Sequence, residues 1–188
     1  MKESLKKKFR PRIKARIRKN KQVLSGKLDT FFDWIKGAEL VELQRCNTDE
    51  DPVRPELDNI FRRSYGRKIY GVKYMGEIHA VMCFAFTNEI PTSVEELDKF
   101  SHDAFLQSAQ RDQNVGQIAI AYTVWSKKRG GGKLIVKEVF KKIKKSNHLN
   151  RLITLSPLTE MATKFHSKNG AKLVQVNETT QNFEYKVI

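Results

Sequence analysis

Three consecutive glycines, Gly130–Gly132, stand between an apolar strand pattern and an amphipathic helix pattern. That junction constrains the fold more than any other feature. Gln117–Trp125 (QIAIAYTVW) reads as a buried strand. After the glycines, Ile135, Val136, Val139, Phe140 and Ile143 fall on one side of a helix over Leu134–Ile143, and its lysines gather at the C-terminal end, where they suit the helix dipole. A strand running through a glycine turn into a helix is a phosphate-binding design. The glycines let the backbone come close, and the first helical amides point outward at an anion. Here the glycines lie among cations, in the order Trp125, Ser126, Lys127, Lys128, Arg129, Gly130, Gly131, Gly132, Lys133. Three glycines beside cations suit a pyrophosphate. The spacing is that of neither a P-loop nor a dinucleotide fingerprint.

The rest of the chain supplies an alternating series. Phe31–Ile35 predicts a short helix ended at Gly37, and Ala38–Arg45 a first strand. Asn47–Pro52 is a loop, and Pro55 opens a helix with Leu57, Ile60 and Phe61 on one face. Ile69–Met75 and Ile78–Phe86 form a hairpin about Gly76, and Val94–Phe105 a helix. After the glycine loop come a strand at Arg151–Leu155 and a helix carrying Leu158, Met161, Ala162 and Phe165 inward, capped at Asn169-Gly170. Strands at Ala171–Val176 and Phe183–Val187 close the series. The expected class is α/β, with a mixed, mostly antiparallel sheet flanked by helices.

Charge divides the chain. The net charge is +15 over 188 residues, and residues 1–27, with twelve Lys/Arg and one acid, hold +11 of it. The expected organisation is a basic tail over 1–27 and one domain over 28–188. Such a tail suits RNA, DNA or an acidic partner, bound in a salt-sensitive way, or is simply a solvated extension. The longest apolar run, Ala80–Phe86, has seven residues, against about 20 for a spanning helix. No secretory signal is evident. Cys46 and Cys83 lie far apart in sequence and match neither a metal motif nor a disulfide framework. The four histidines have no ligand spacing, so no metal is expected and the cytoplasm is the default location.

The element order resembles the GNAT superfamily of acyl-CoA N-acetyltransferases. The resemblance implies that the strand before the glycines (Thr123, Val124, Trp125) lies along pantetheine. Lys127, Lys128, Arg129, Gly130, Gly131, Gly132 and Lys133 would then receive the pyrophosphate. Lys127-x-x-Gly130-x-Gly132 matches the loop pattern of that superfamily, and Arg129-x-x-Gly132 is a second possible register.

A closer resemblance is to the catalytic domain of malonyl-CoA decarboxylase, itself GNAT-like. It rests on Phe84–Ile90, Ala119–Ser126, Gly132–Lys137, Thr154-Leu-Ser-Pro157 and Phe165-His-Ser-Lys-Asn-Gly-Ala171, in the order of that family. It implies Ser156 and His166 as the catalytic pair, with malonyl-CoA going to acetyl-CoA and CO2 and no cofactor beyond CoA. The histidine, titrating near neutrality, would deliver the proton. The chain departs from the family in a shorter glycine loop and in only nine residues between serine and histidine. A continuous helix over Leu158–His166 would rise about 12 Å and keep Ser156 and His166 out of direct contact. Two alternatives remain. Acetyl transfer from acetyl-CoA to an amine would use His166 where GNAT enzymes usually carry a tyrosine, although Gln117–Trp125 offers no carboxylate as base. An inactive binding protein would act through its tail. Without the resemblance, His166 is a packed or surface helix residue, and Ser156 or Thr159 is the cap of the next helix. The compact, tail-bearing form suggests a phage-encoded protein acting in a host cytoplasm.

Overall fold

The computed structural model describes residues 33–111 and 116–185. The basic tail, Phe31 and Phe32, the tail–domain boundary expected at 27/28 and the strand end expected at Val187 lie outside these residues. The chain divides into two compact units, residues 1–38 and 39–188. Of the first, residues 33–37 are helical. No helix of the described residues is long and apolar enough to cross a membrane.

The second unit holds eight strands in one sheet among its described residues. They are β1 (Glu39–Leu43), β2 (Lys68–Tyr74), β3 (Glu77–Thr87), β4 (Ile118–Ser126), β5 (Arg151–Thr154), β6 (Ser156–Pro157), β7 (Lys172–Val176) and β8 (Thr180–Tyr185). The order is β1-β2-β3-β4-β5-β8-β6, with β7 also paired to β8. Among these strands only β4 and β5 run parallel, and the remaining pairs are antiparallel. Among the described residues three α-helices complete the unit: α1 (Val94–Arg111), α2 (Gly131–Lys144) and α3 (Glu160–Lys168). The mixed, mostly antiparallel α/β class read from the sequence is the class observed.

Strand chemistry explains the sheet. β3 and β4 are nearly continuous apolar runs because they lie in its middle, covered on both faces. On one face Ile69, Val81, Cys83, Ile120, Tyr122 and Leu155 join the core with Leu97 of α1. α2 buries Leu134, Ile135, Val136, Val139 and Ile143, close to the face its periodicity predicts, with Phe140 of that face half-buried.

Two expected helices differ. Pro55 opens no helix. Residues 55–60 form turns, and a tight 3-10 segment follows at Phe61–Gly66. Leu57 is buried but Ile60 is exposed, so the supposed common face does not exist. The reason is electrostatic: this stretch is shaped around buried Asp51 and Arg62, whose side chains meet at 2.8 Å, both fully buried. The helix after Ser156 starts at Glu160 and not at Leu158, because Thr159 is its cap and accepts from the Ala162 amide at 3.2 Å. Leu158 and Met161, expected inward, are exposed. Asn169 is the C-cap, and Gly170 follows at φ 87°, as expected.

Candidate active site

The site lies where β4 and β5 part. They pair in register from Ile118 with Arg151 to Ala121 with Thr154, and the Leu155 amide still reaches the Ala121 carbonyl at 2.9 Å. The register between β3 and β4 shifts just there, between Cys83 and Phe84, leaving Tyr122 as the extra residue of a bulge. Beyond that point Arg54 spans the gap. Its Nε donates to the Tyr122 carbonyl at 3.0 Å and its Nη2 to the Leu155 carbonyl at 3.2 Å. A buried arginine thus completes hydrogen bonds that the sheet leaves open.

Asp51 holds that arginine segment in place. Its carboxylate accepts from the Val53 and Arg54 amides, from Thr123 Oγ1 and from Arg62 Nη2. Each oxygen of this buried charge is therefore matched, as its desolvation requires.

A cavity of about 230 Å³ opens at the split. Pro52, Val53, Met82, Ala162 and Phe165 give it apolar walls, Trp125 and Gly132 also line it, and Ser156 and His166 supply polar atoms; none of the lining residues is acidic. Ser156 on β6 and His166 on α3 are both buried. Their Oγ and Nε2 are 2.8 Å apart. The expected separation is overturned: Leu158 and Thr159 turn the chain before α3 begins, so the helix folds back over the serine rather than climbing away from it. Ser156 Oγ also donates to Thr154 Oγ1 at 3.0 Å, and Thr154 Oγ1 accepts from the Phe183 amide at 3.1 Å.

The other histidine nitrogen, Nδ1, lies 3.0 Å from the Tyr185 hydroxyl, and the Phe183 ring stacks on the imidazole at 5.1 Å. Burial pushes the His166 pKa down to about 4 and the Tyr185 phenol up. The histidine is therefore neutral at pH 7, not poised near neutrality as its residue type alone predicts. With both rings neutral, two proton arrangements are open. Tyr185 donates to Nδ1 and Nε2–H donates to the serine, or the histidine turns both bonds around and Ser156, now donating to Nε2, accepts from Thr154 Oγ1 instead.

The glycine loop is built as its composition requires. Gly130 has φ 86°. A Cβ on Gly131 would collide with Ser126 Oγ, the hydroxyl that closes the turn by donating to the Lys128 carbonyl at 2.7 Å. The first bond of α2 runs from the Leu134 amide to the Gly130 carbonyl, so the amides of Gly132 and Lys133 precede the helical ladder. The cations are engaged or solvated. Lys127 pairs with Glu50 at 2.6 Å, Lys128 lies 4.7 Å from the Tyr74 ring centre, and Arg129 and Lys133 are exposed. Of the strand residues expected along pantetheine, Val124 and Trp125 line the cavity, and Thr123 lines it while bonding Asp51.

The structure brings Ser156 and His166 into contact at a cavity that Trp125, Ser126 and Gly132 also line, and the sequence reading did not single out their neighbours Tyr185, Asp51 and Arg54. Tyr185 fell inside an expected strand with nothing to mark it. Asp51 sat in an acidic run that reads as solvated loop. Among the described residues no group of three His, Cys, Asp or Glu could hold a metal ion.

No protein-family model and no curated protein matches the sequence. Solved structures do. A malonyl-CoA decarboxylase from Cupriavidus metallidurans is similar over 85% of this chain, at 15% identity and a TM-score of 0.59. This chain spans 64% of that protein's length. The GNAT-like decarboxylase GphF, in complex with isobutyryl-CoA, is similar over 80% of this chain and 100% of its own, at 9% identity and a TM-score of 0.62. An acetyltransferase from Bacillus subtilis in complex with CoA is similar over 80% of this chain and 99% of its own, at 11% identity and a TM-score of 0.55. The fold is the GNAT fold.

Proposed function

We propose that this GNAT-fold protein is an acyl-CoA enzyme that decarboxylates a malonyl-type thioester. The reading rests on the 2.8 Å contact between Ser156 and neutral His166 at the wall of an acid-free, largely apolar cavity. Loss of CO2 from a malonyl thioester spreads carboxylate charge onto the thioester oxygen as an enolate. A dry wall disfavours the localised carboxylate, and a fixed hydroxyl stabilises charge as it develops. Ser156 is that hydroxyl. His166 Nε2–H backs it, and Tyr185 orients the ring through Nδ1. The bond between the α-carbon and the carboxyl breaks, its electrons pass to the enolate, CO2 leaves, and the α-carbon takes a proton that the serine–histidine pair relays from water. Tyr185, with its pKa raised by burial, stays protonated throughout.

The glycine turn, with the free amides of Gly132 and Lys133 and the cations Lys128 and Arg129, is the end suited to the CoA diphosphate. The acid-free lining favours decarboxylation over acetyl transfer. With Arg54 bonded to the Tyr122 and Leu155 carbonyls, its charge lies behind the cavity wall, and no cavity-lining carboxylate stands ready to deprotonate an acceptor amine.

The test is incubation of the full chain with malonyl-CoA and, separately, with acetyl-CoA, followed by mass spectrometry of the thioesters. Conversion of malonyl-CoA to acetyl-CoA is expected. Bound but unconverted malonyl-CoA would redirect the reading to acyl transfer, and absence of binding would remove the acyl-CoA reading altogether.

A further inference from the structure

Cys46 and Cys83, far apart in sequence, come to one apolar cluster in the fold. Leu43 of β1 is paired with Ile69 of β2, and Ile69 with Cys83 of β3, so these three side chains share one face of the sheet. Three residues past Leu43 the chain has turned back over that face, and Cys46 packs against the cluster that contains Cys83. Asn59 fixes the turn: its Oδ1 accepts from the Cys46 amide at 2.9 Å, and its Nδ2 donates to the Cys46 carbonyl at 3.0 Å. Arg62 Nη1 lies 3.3 Å from Cys83 Sγ. Two thiols and a guanidinium therefore form one cluster, which the acyl-CoA chemistry leaves unused.

We propose that Cys46 and Cys83 are a peroxide-sensitive dithiol that closes to an intramolecular disulfide. The two sulfurs differ as such a pair requires. Cys83 is fully buried, whereas Cys46 is partly exposed and meets the oxidant. Cys46 Sγ donates to Asn59 Oδ1 at 3.7 Å; the neighbouring Cys83 thiol, and after it the Arg62 charge, draw the Cys46 pKa down against the opposing effect of burial, while burial pushes the Cys83 thiol well up. Cys46 is thus the readier thiolate. It attacks one oxygen of hydrogen peroxide, the O–O bond breaks, hydroxide leaves and Cys46 becomes a sulfenic acid. The Cys83 sulfur then displaces hydroxide from Cys46, which takes the Cys83 proton and departs as water. Two thiols are oxidised to one disulfide, and one peroxide is reduced to two waters. In a reducing compartment such a bond is transient, a signal rather than a staple.

The experiment counts thiols. The reduced full chain is treated with a small excess of hydrogen peroxide, quenched, denatured and alkylated with iodoacetamide, and its intact mass and tryptic map are read. Expected are a loss of both alkylatable thiols, an intact mass lower by two hydrogens, a peptide pair joining Cys46 to Cys83, and full reversal by a phosphine reductant. Cys46→Ser should leave Cys83 alkylatable after the same treatment, because the buried thiol has lost its attacking partner. The proposal is overturned if both thiols survive, if Cys46 gains oxygens while Cys83 still alkylates, if the link is between chains, or if Cys83 oxidises as fast in Cys46→Ser as in the native protein.

Discussion

The two ends of the cavity are held in opposite ways. At one end Ser156, His166, Thr154 and Tyr185 are buried and bonded to one another, with the Phe183 ring stacked on the imidazole. At the other end the glycine loop presents exposed cations, and one of them, Lys127, is taken by Glu50. The difference fits the role proposed for each end. A hydroxyl that meets developing charge acts only if it is already in position, since reorganisation during the reaction raises the barrier. A diphosphate carries its own charge and gathers solvated cations at little cost. On the proposed reading, the reacting end is built by packing and the anion end by backbone geometry.

Removing the packed end tests this most severely. Ser156→Ala and His166→Gln are each expected to lower turnover of malonyl-CoA by about 10²–10⁴-fold, with the fold intact by circular dichroism. Steady-state kinetics on both variants check it. Turnover within a few-fold of the native protein would mean that the buried pair only packs, and the contrast between the two ends would lose its chemical meaning.

The next effect is on stability. Asp51 is the anchor shared by Thr123, Arg54 and Arg62, and its partner Arg62 is fully buried. Asp51→Ala leaves that guanidinium unpaired and should cost about 3–5 kcal/mol, a melting temperature roughly 10 °C lower at this size. Thermal unfolding measures it. Lys127→Ala, which breaks a surface pair, should shift the melting point by no more than about 2 °C, and equal shifts would break the comparison.

Acid separates the ends a third way. His166 has a folded pKa of about 4, below the value near 6.5 of an unfolded chain. Between those values the unfolded state binds the extra proton, so stability rises with pH there. The contribution is complete above about pH 6.5 and is lost as pH falls to about 4, amounting to roughly 3 kcal/mol. Chemical denaturation at a series of pH values should show this slope, and His166→Gln should flatten it. A slope unchanged in that variant would assign the acid sensitivity elsewhere.

How much was legible follows the same division. Periodicity sees burial that repeats along one element, so α2, β3 and β4 were readable, and the glycine turn announced itself because Gly130 at positive φ and Gly131 against Ser126 leave no room for other residues. What failed was burial set by partners distant in sequence. Asp51 looks like loop until Arg62 and Thr123 surround it, and Leu158 and Met161 look like core until the Thr159 cap turns them outward. The resemblance to malonyl-CoA decarboxylase supplied Ser156 and His166, but helix geometry argued them apart. The two-residue β6 and the turn after it, too short to carry a period, closed that distance to 2.8 Å. The cluster shared by Cys46 and Cys83 was hidden likewise, by a turn fixed through Asn59.

The smallest expected effect sharpens the contrast at the open end. Lys127 pairs with Glu50, whose carboxyl is held below its ordinary pKa chiefly by that lysine. The pair is surface-exposed, so its net worth is less than about 1 kcal/mol. Lys127→Ala should therefore weaken CoA binding only a few-fold, because the lysine must leave one anion to serve another. Glu50→Gln should tighten it by a similar factor, because the lysine is then released, and the gain should fade as salt is raised. Calorimetric titration of CoA at two salt concentrations checks both. If Glu50→Gln weakens binding instead, the carboxylate is positioning Lys127 rather than competing for it, and the open end is preorganised after all.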